Sequence, residues 1–159
     1  GIVAGVAALT AGYFAFPRKG RVELRRVAYA LAAGVVTYSL LFTFVAPSFQ
    51  RIWISPRIAL AFGANKPCPE SRLASAGFHE PSLVFLTETD TLLTSVTGVA
   101  DHLLANPACA VGVVPMRDAK ALQDRVEAGG RSLSQIAEIG GINYSNGNDL
   151  LLRMYRIAP

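Results

Sequence analysis

Charge is scarce in this sequence. Asp, Glu, Lys and Arg make up 16% of its 159 residues, against about 25% in ordinary soluble domains. Apolar residues reach 52%, and that imbalance points to a membrane component. Histidine is almost missing as well. His79 and His102 stand apart from cysteine and from paired carboxylates, so no metal-ligand cluster is legible. The chain has no phosphate-binding loop, no Gly-x-Gly-x-x-Gly turn and no Gly-x-Ser-x-Gly elbow,. Internal repeats, low-complexity stretches and Ser-rich linkers are absent too,.

The net charge of +4 does not indicate a nucleic-acid partner. Residues 17–26 hold Arg18, Lys19, Arg21, Arg25 and Arg26 against Glu23 alone, whereas 46–159 carry ten basic and ten acidic side chains. A nucleic-acid module needs its excess on the folded surface that meets phosphate. Here the excess occupies one short segment between two apolar stretches, which is a topology signal.

The second of those stretches, Val27 to Val45, has no charged residue. As a helix its nineteen residues reach roughly 28 Å, close to the roughly 30 Å hydrocarbon core of a bilayer. Trp53 follows at a position suited to the headgroup level. The first stretch, Gly1 to Phe16, is also uncharged and begins inside an apolar run. It reads as the tail of a longer span, so the chain is expected to be a fragment. Gly1, Gly5 and Gly12 share one helical face; they read either as a close helix contact or as tolerated small residues. The positive-inside rule puts 17–26 in the cytoplasm, so the region after Val45 is expected outside it, in the periplasm of a Gram-negative cell.

Beyond the membrane, Ser55-Pro56 predicts a helix from Pro56 to about Phe62, capped by Ser55. Arg51, Trp53 and Arg57 suit a helix lying along a membrane surface. Strands are expected at Leu73–Gly77, Ser82–Thr87, Ala108–Val114, Leu133–Ile139 and Asp149–Ile157. Helices are expected at 97–105, capped by Thr97, and at Arg117–Ala128, with Ala119, Leu122 and Val126 inward. Asn146-Gly147 marks a hairpin turn. The organisation is therefore two transmembrane helices over 1–45 with a basic cytoplasmic loop at 17–26, an interfacial helix and linker over 46–71, and a small, partly parallel periplasmic α/β domain over 72–159.

Few residues suggest chemistry. His79-Glu80-Pro81 pairs a base with an acid but lacks a zinc protease's second histidine, and Pro81 opposes a helix there. A turn before a strand is the simpler reading. His102 reads as solvated, and Glu88 and Asp90, flanking Thr89 at a strand end, read either as a ligand position of an α/β fold or, more simply, as a solvated turn. The segment 140–147, with Asn143 and Tyr144, reads either as a ligand loop or as a hairpin connection. Cys68 and Cys109 are either a disulfide, which outside the cytoplasm stabilises by about 3–4 kcal/mol, or two small buried hydrophobes.

The stretch Leu73 to Leu86, with Thr89-Asp90-Thr91, resembles the C-terminal domain of bacterial protein-mannosyltransferase-like and lipid A aminoarabinose transferase-like membrane glycosyltransferases (family 39/83 type). The ending Gly141 to Gly147, the last strand with Tyr155, the two spans and Trp53-Ile54-Ser55-Pro56 are similar to the same group. The most specific string is Glu80 to Leu86. The resemblance implies the end of a polytopic membrane α-helical fold of the GT-C type. It also implies a sugar moved from a polyprenyl-phosphate carrier to an acceptor on the periplasmic face, with lipid A modification as one form. The family's catalytic carboxylate lies in a first outer loop with no counterpart here. No residue of this chain inherits that role, and the chain alone is expected to be inactive. Partners are then the lipid bilayer and, through that N-terminal part, the lipid-linked sugar; no cofactor is implied for the chain itself. The alternative is a non-enzymatic, membrane-anchored periplasmic binding or scaffolding module.

Overall fold

The structure, a computed structural model, describes residues 2–15, 24–143 and 147–159. It falls into two compact units, Gly1–Gln50 and Arg51–Pro159.

In the first unit α1 (Ile2–Ala15) packs against α2 (Leu24–Leu40). The helical path continues past α2 through a π turn at Leu41–Val45 and a 3-10 turn at Ala46–Ser48. Pro47 explains the change of pitch. It has no N–H to give Thr43, and its ring would collide with that carbonyl in a regular helix. The Ala46 N–H instead reaches the Leu41 carbonyl, five residues back,. Leu24–Ser48 is the one helical run among the described residues that is long and apolar enough to cross a membrane. None of its residues is buried, so its apolar side chains have no protein core to enter. Thr37 donates to the Ala33 carbonyl at 2.8 Å, which leaves no bare hydroxyl there,. As described, α1 reaches only about 21 Å. A Cβ on Gly5 or Gly12 would meet open space, so the packing of α1 on α2 does not use the small-residue face. Of the expected basic loop at 17–26, residues 17–23 lie outside the described residues, and 24–26, with Arg25 and Arg26, form the first turn of α2 rather than a loop.

The second unit is a three-layer α/β sandwich. Its sheet has the order β2-β1-β3-β5-β4, from β1 (Arg72–Ala76), β2 (Leu92–Thr94), β3 (Ala110–Pro115), β4 (Leu133–Ile142) and β5 (Asp149–Ile157). The strands β2, β1 and β3 are parallel, and β3, β5 and β4 are antiparallel. A bulge interrupts the β4–β5 register between Gln135 and Ala137. One face is covered by α3 (Ile54–Asn65) and α4 (Pro81–Leu86), where Ile54, Ile58, Phe62 and Leu83 meet Leu73, Val111, Val113, Leu152 and Met154. The other is covered by α5 (Val96–Ala105) and α6 (Ala119–Ala128), where Val99, Leu103, Leu122 and Val126 meet Ala74, Val114 and Tyr155. Alternate residues of β3 serve opposite faces, so its whole run is buried,. The partly parallel sheet and the C-terminal hairpin match expectation, with Gly147 at φ +72° in the turn; Asn146 lies outside the described residues.

Four local expectations are corrected. Residues 82–87 are not a strand: Pro81 opens α4 behind an extended Glu80, so the proline starts a helix rather than opposing one. The strand β2 was not foreseen. Ser95, not Thr97, caps α5 by accepting the Gly98 N–H at 3.2 Å. Ser55 does not cap α3; Trp53 holds that position without a capping hydrogen bond from its side chain, and Ser55 is buried as the second residue of the helix. The segment 46–71 contributes α3 to the sandwich core.

Candidate functional site

In open α/β sheets the customary ligand crevice lies beyond the carboxyl ends of the parallel strands. Here that crevice is closed. Gly77 leaves β1 at φ +69°, and a Cβ on it would lie 2.5 Å from Pro115 Cγ at the end of β3. The buried Ser75 hydroxyl donates to the Phe78 carbonyl at 2.9 Å and fixes the turn.

The opposite ends of these strands carry a polar depression of about 500 Å³ lined by Glu70, Arg72, Glu88, Asp90 and His102. Three of its four charged side chains are paired. Arg72 pairs with Asp90 at 2.8 Å, and Lys66 pairs with Glu88. The His102 Nε2 meets the Arg72 carbonyl at 3.0 Å, so this histidine is bonded and half-buried rather than solvated. Glu88 and Asp90 belong to the loop between α4 and β2, not to a strand end. Among the described residues no three His, Cys, Asp or Glu side chains could hold a metal ion.

The more favourable site is a groove of about 560 Å³ between α3 and α4, within the usual range for small-ligand pockets. One wall is the chain entering α3: Ile52, Trp53, Ile54 and Pro56. The other is Phe78, Glu80, Ser82 and Leu86, and Asn143 closes one end. The walls are joined by the Ser55 and Ser82 hydroxyls at 2.8 Å. Glu80 is the one ionisable side chain in the lining. Trp53 is 49% exposed and Phe85, beside Leu86, is 86% exposed. Apolar surface therefore extends out of the groove.

A clamp on β4 holds the α3 wall. The Ile142 N–H donates to the Arg51 carbonyl at 2.8 Å, and Arg57 donates to the Gly140 carbonyl. Arg51 also pairs with Asp149 at 2.9 Å. The approach is so close that a Cβ on Gly141 would sit 2.6 Å from Ile54 Cγ1 and 2.7 Å from the Arg51 oxygen.

Of the residues singled out by sequence, Trp53, Glu80 and Asn143 converge on this groove. Arg51 and Arg57 bond within the globule instead. His79 turns away to meet the Thr94 carbonyl at 3.0 Å, which parts it from Glu80. Tyr144 lies outside the described residues. Cys68 and Cys109 form a disulfide, their Cα atoms 5.4 Å apart, tying the approach to β1 to the approach to β3. Sequence reasoning missed Ser55, Ser82, Phe78 and Leu86. The available signal was that α4 is apolar on more sides than a core can use.

No family model, no curated protein and no solved structure matches this chain. The chemistry of the groove therefore carries the functional argument, beside the residue resemblance described above.

Proposed function

We propose that this chain is the membrane-anchored periplasmic part of a glycosyltransferase that moves a sugar from a polyprenyl-phosphate carrier to an acceptor on the periplasmic face. In this reading 1–45 provides two spans, the last of a GT-C type fold, and the α/β unit serves lipid-bearing molecules at the bilayer surface. The bond-making carboxylate then belongs to the first outer loop of the whole enzyme. The observation that carries the reading is the placement of the apolar groove in the chain. Ile52 and Trp53 follow Ser48, the end of the span-length run, by only four and five residues. Five extended residues reach at most about 18 Å, so a groove with such a tether stays near the hydrocarbon. The Cys68–Cys109 bridge supports an oxidising compartment,. The basic segment 17–26 supports the same orientation.

The test uses the complete reading frame, reconstituted with a polyprenyl-phosphate-linked sugar. Excising 51–159 is expected to abolish or strongly reduce transfer, and undiminished transfer would overturn the reading. A second reading, a non-enzymatic membrane-anchored binding module, is favoured by the single ionisable group in the groove. An upstream reading frame lacking further spans and an acidic pair would select it.

A further inference from the structure

Resting on the reading of a membrane-anchored chain, we propose that the outer face of the α3–α4 layer docks on the bilayer surface, with Leu60 and Phe85 entering the upper acyl region. The two helical layers of the sandwich differ in charge. In α5 and α6, Asp101, His102, Lys120, Asp124, Arg125 and Glu127 are ionisable, as expected of helices whose outer face meets water. In α3 and α4 only Arg57 is, and it donates to the Gly140 carbonyl.

Exposure repeats the contrast. Leu60 stands two residues from the buried Ile58 and Phe62, and Phe85 two from the buried Leu83. Two helical residues turn about 200°, so both side chains point away from the core, 75% and 86% exposed. Leu86 and Trp53 add half-exposed apolar surface beside them. No Leu, Val or aromatic side chain of α5 or α6 is exposed. One layer therefore suits water and the other an apolar phase. The tether says which phase. The helix α3 begins at Ile54, six residues past Ser48, where the span-length run ends. Six extended residues reach at most about 22 Å, so the chain delivers this layer to the bilayer surface before any other part of the globule. With Arg57 spent on a carbonyl, apolar area rather than headgroup charge drives the contact.

Docking is measurable because Trp53 is the one tryptophan in the sequence, so Trp53→Phe gives a background without indole. Into it go Leu60→Trp, Phe85→Trp or, on α6, Gln123→Trp, all at exposed positions that folding tolerates,. The full chain is placed in phosphatidylcholine nanodiscs, plain or brominated on the acyl chains, where bromine quenches indole on contact. At an insertion of about 5–10 Å, indoles at 60 and 85 are expected to lose about half their emission to bromine and to be shielded from aqueous iodide. The indole at 123 is expected to ignore bromine and to be open to iodide. Quenching at 60 and 85 no greater than at 123 overturns the proposal. Shielding from iodide without bromine quenching means that a second copy covers the face, and overturns it as well. A chain that does not enter nanodiscs sinks the anchored reading and the docking with it. A cytoplasmic C-terminus found by reporter fusion sinks the orientation alone and leaves the bromine result standing, so the failures are distinguishable.

Discussion

A single methyl group on Gly141 would collide with the Arg51 carbonyl and the Ile54 side chain. The oxygen is backbone and already accepts the Ile142 N–H, so it cannot step aside cheaply. Gly141→Ala is expected to lower stability by about 1–3 kcal/mol, read as a fall in the urea midpoint. Gly63 in α3 is the matched control, since a Cβ there meets open space. Gly63→Ala is expected to stabilise by about 0.4–1 kcal/mol. The serine pair behaves asymmetrically. Ser55 is buried while Ser82 is exposed, so Ser82→Ala strands a buried hydroxyl and costs about 1–3 kcal/mol. Removing both hydroxyls together should cost less than the sum, in a double-mutant cycle. On β5, Arg153 bonds Glu138 at 2.9 Å, and that carboxylate raises the guanidinium above its ordinary value. A raised cation loses its contribution only as pH climbs through its folded value. Nothing from this arginine should therefore register in melting curves between neutral pH and about 10.

Among the elements, α4 shows most clearly what burial does and does not explain. Leu83 is fully buried, and Leu83→Ala is expected to cost about 2–5 kcal/mol. Phe85→Ala, on the exposed side, should change stability by less than about 0.5 kcal/mol. Its sequence, Ser-Leu-Val-Phe-Leu-Thr, reads as a strand because a short apolar run has no period to separate a strand from a buried helix. The decisive facts are not in the run itself. Pro81 supplies the first helical position, and β1 and β2 are parallel neighbours that need a crossover between them,. The edge strand β2 escaped notice because Leu92 and Leu93 are partly exposed and only three residues long. The strands β1, β3, β4 and β5 and the helices α5 and α6 were legible because their apolar spacing matches what the two cores bury. Ser55 looked like a cap from its neighbour Pro56, and only its burial against Ser82 shows otherwise. Part of the candidate site was legible through Trp53, Glu80 and Asn143. Its depth was not, because it depends on Gly141 allowing α3 to press on β4. Linking these elements, the Cys68–Cys109 bridge closes 41 residues. Replacing both cysteines by serine should lower stability by about 4 kcal/mol on the loop-entropy estimate, measured by denaturant titration.

For the whole molecule, the apolar run Leu24–Ser48 and the electrically balanced globule after it make opposite demands on solvent. The proposed orientation predicts that an alkaline phosphatase fused after Pro159 is active and that a fluorescent reporter requiring the cytoplasm is dark; the reverse pattern would invert the topology. The chain by itself is expected to show no sugar transfer from a polyprenyl-phosphate donor, and measured turnover would place catalysis within these residues. Anchorage as proposed would confine many copies to a thin layer, where local concentration is high and encounters are side-on. The sheet ends in β4, a ten-residue outer strand whose unpaired backbone would template another copy. The bulge between Gln135 and Ala137 breaks that row of donors and acceptors near its start,, and the Arg51 carbonyl occupies the Ile142 end. What remains is a short and interrupted edge, so a protein tethered in two dimensions, as proposed, would resist growing into fibrils along that plane.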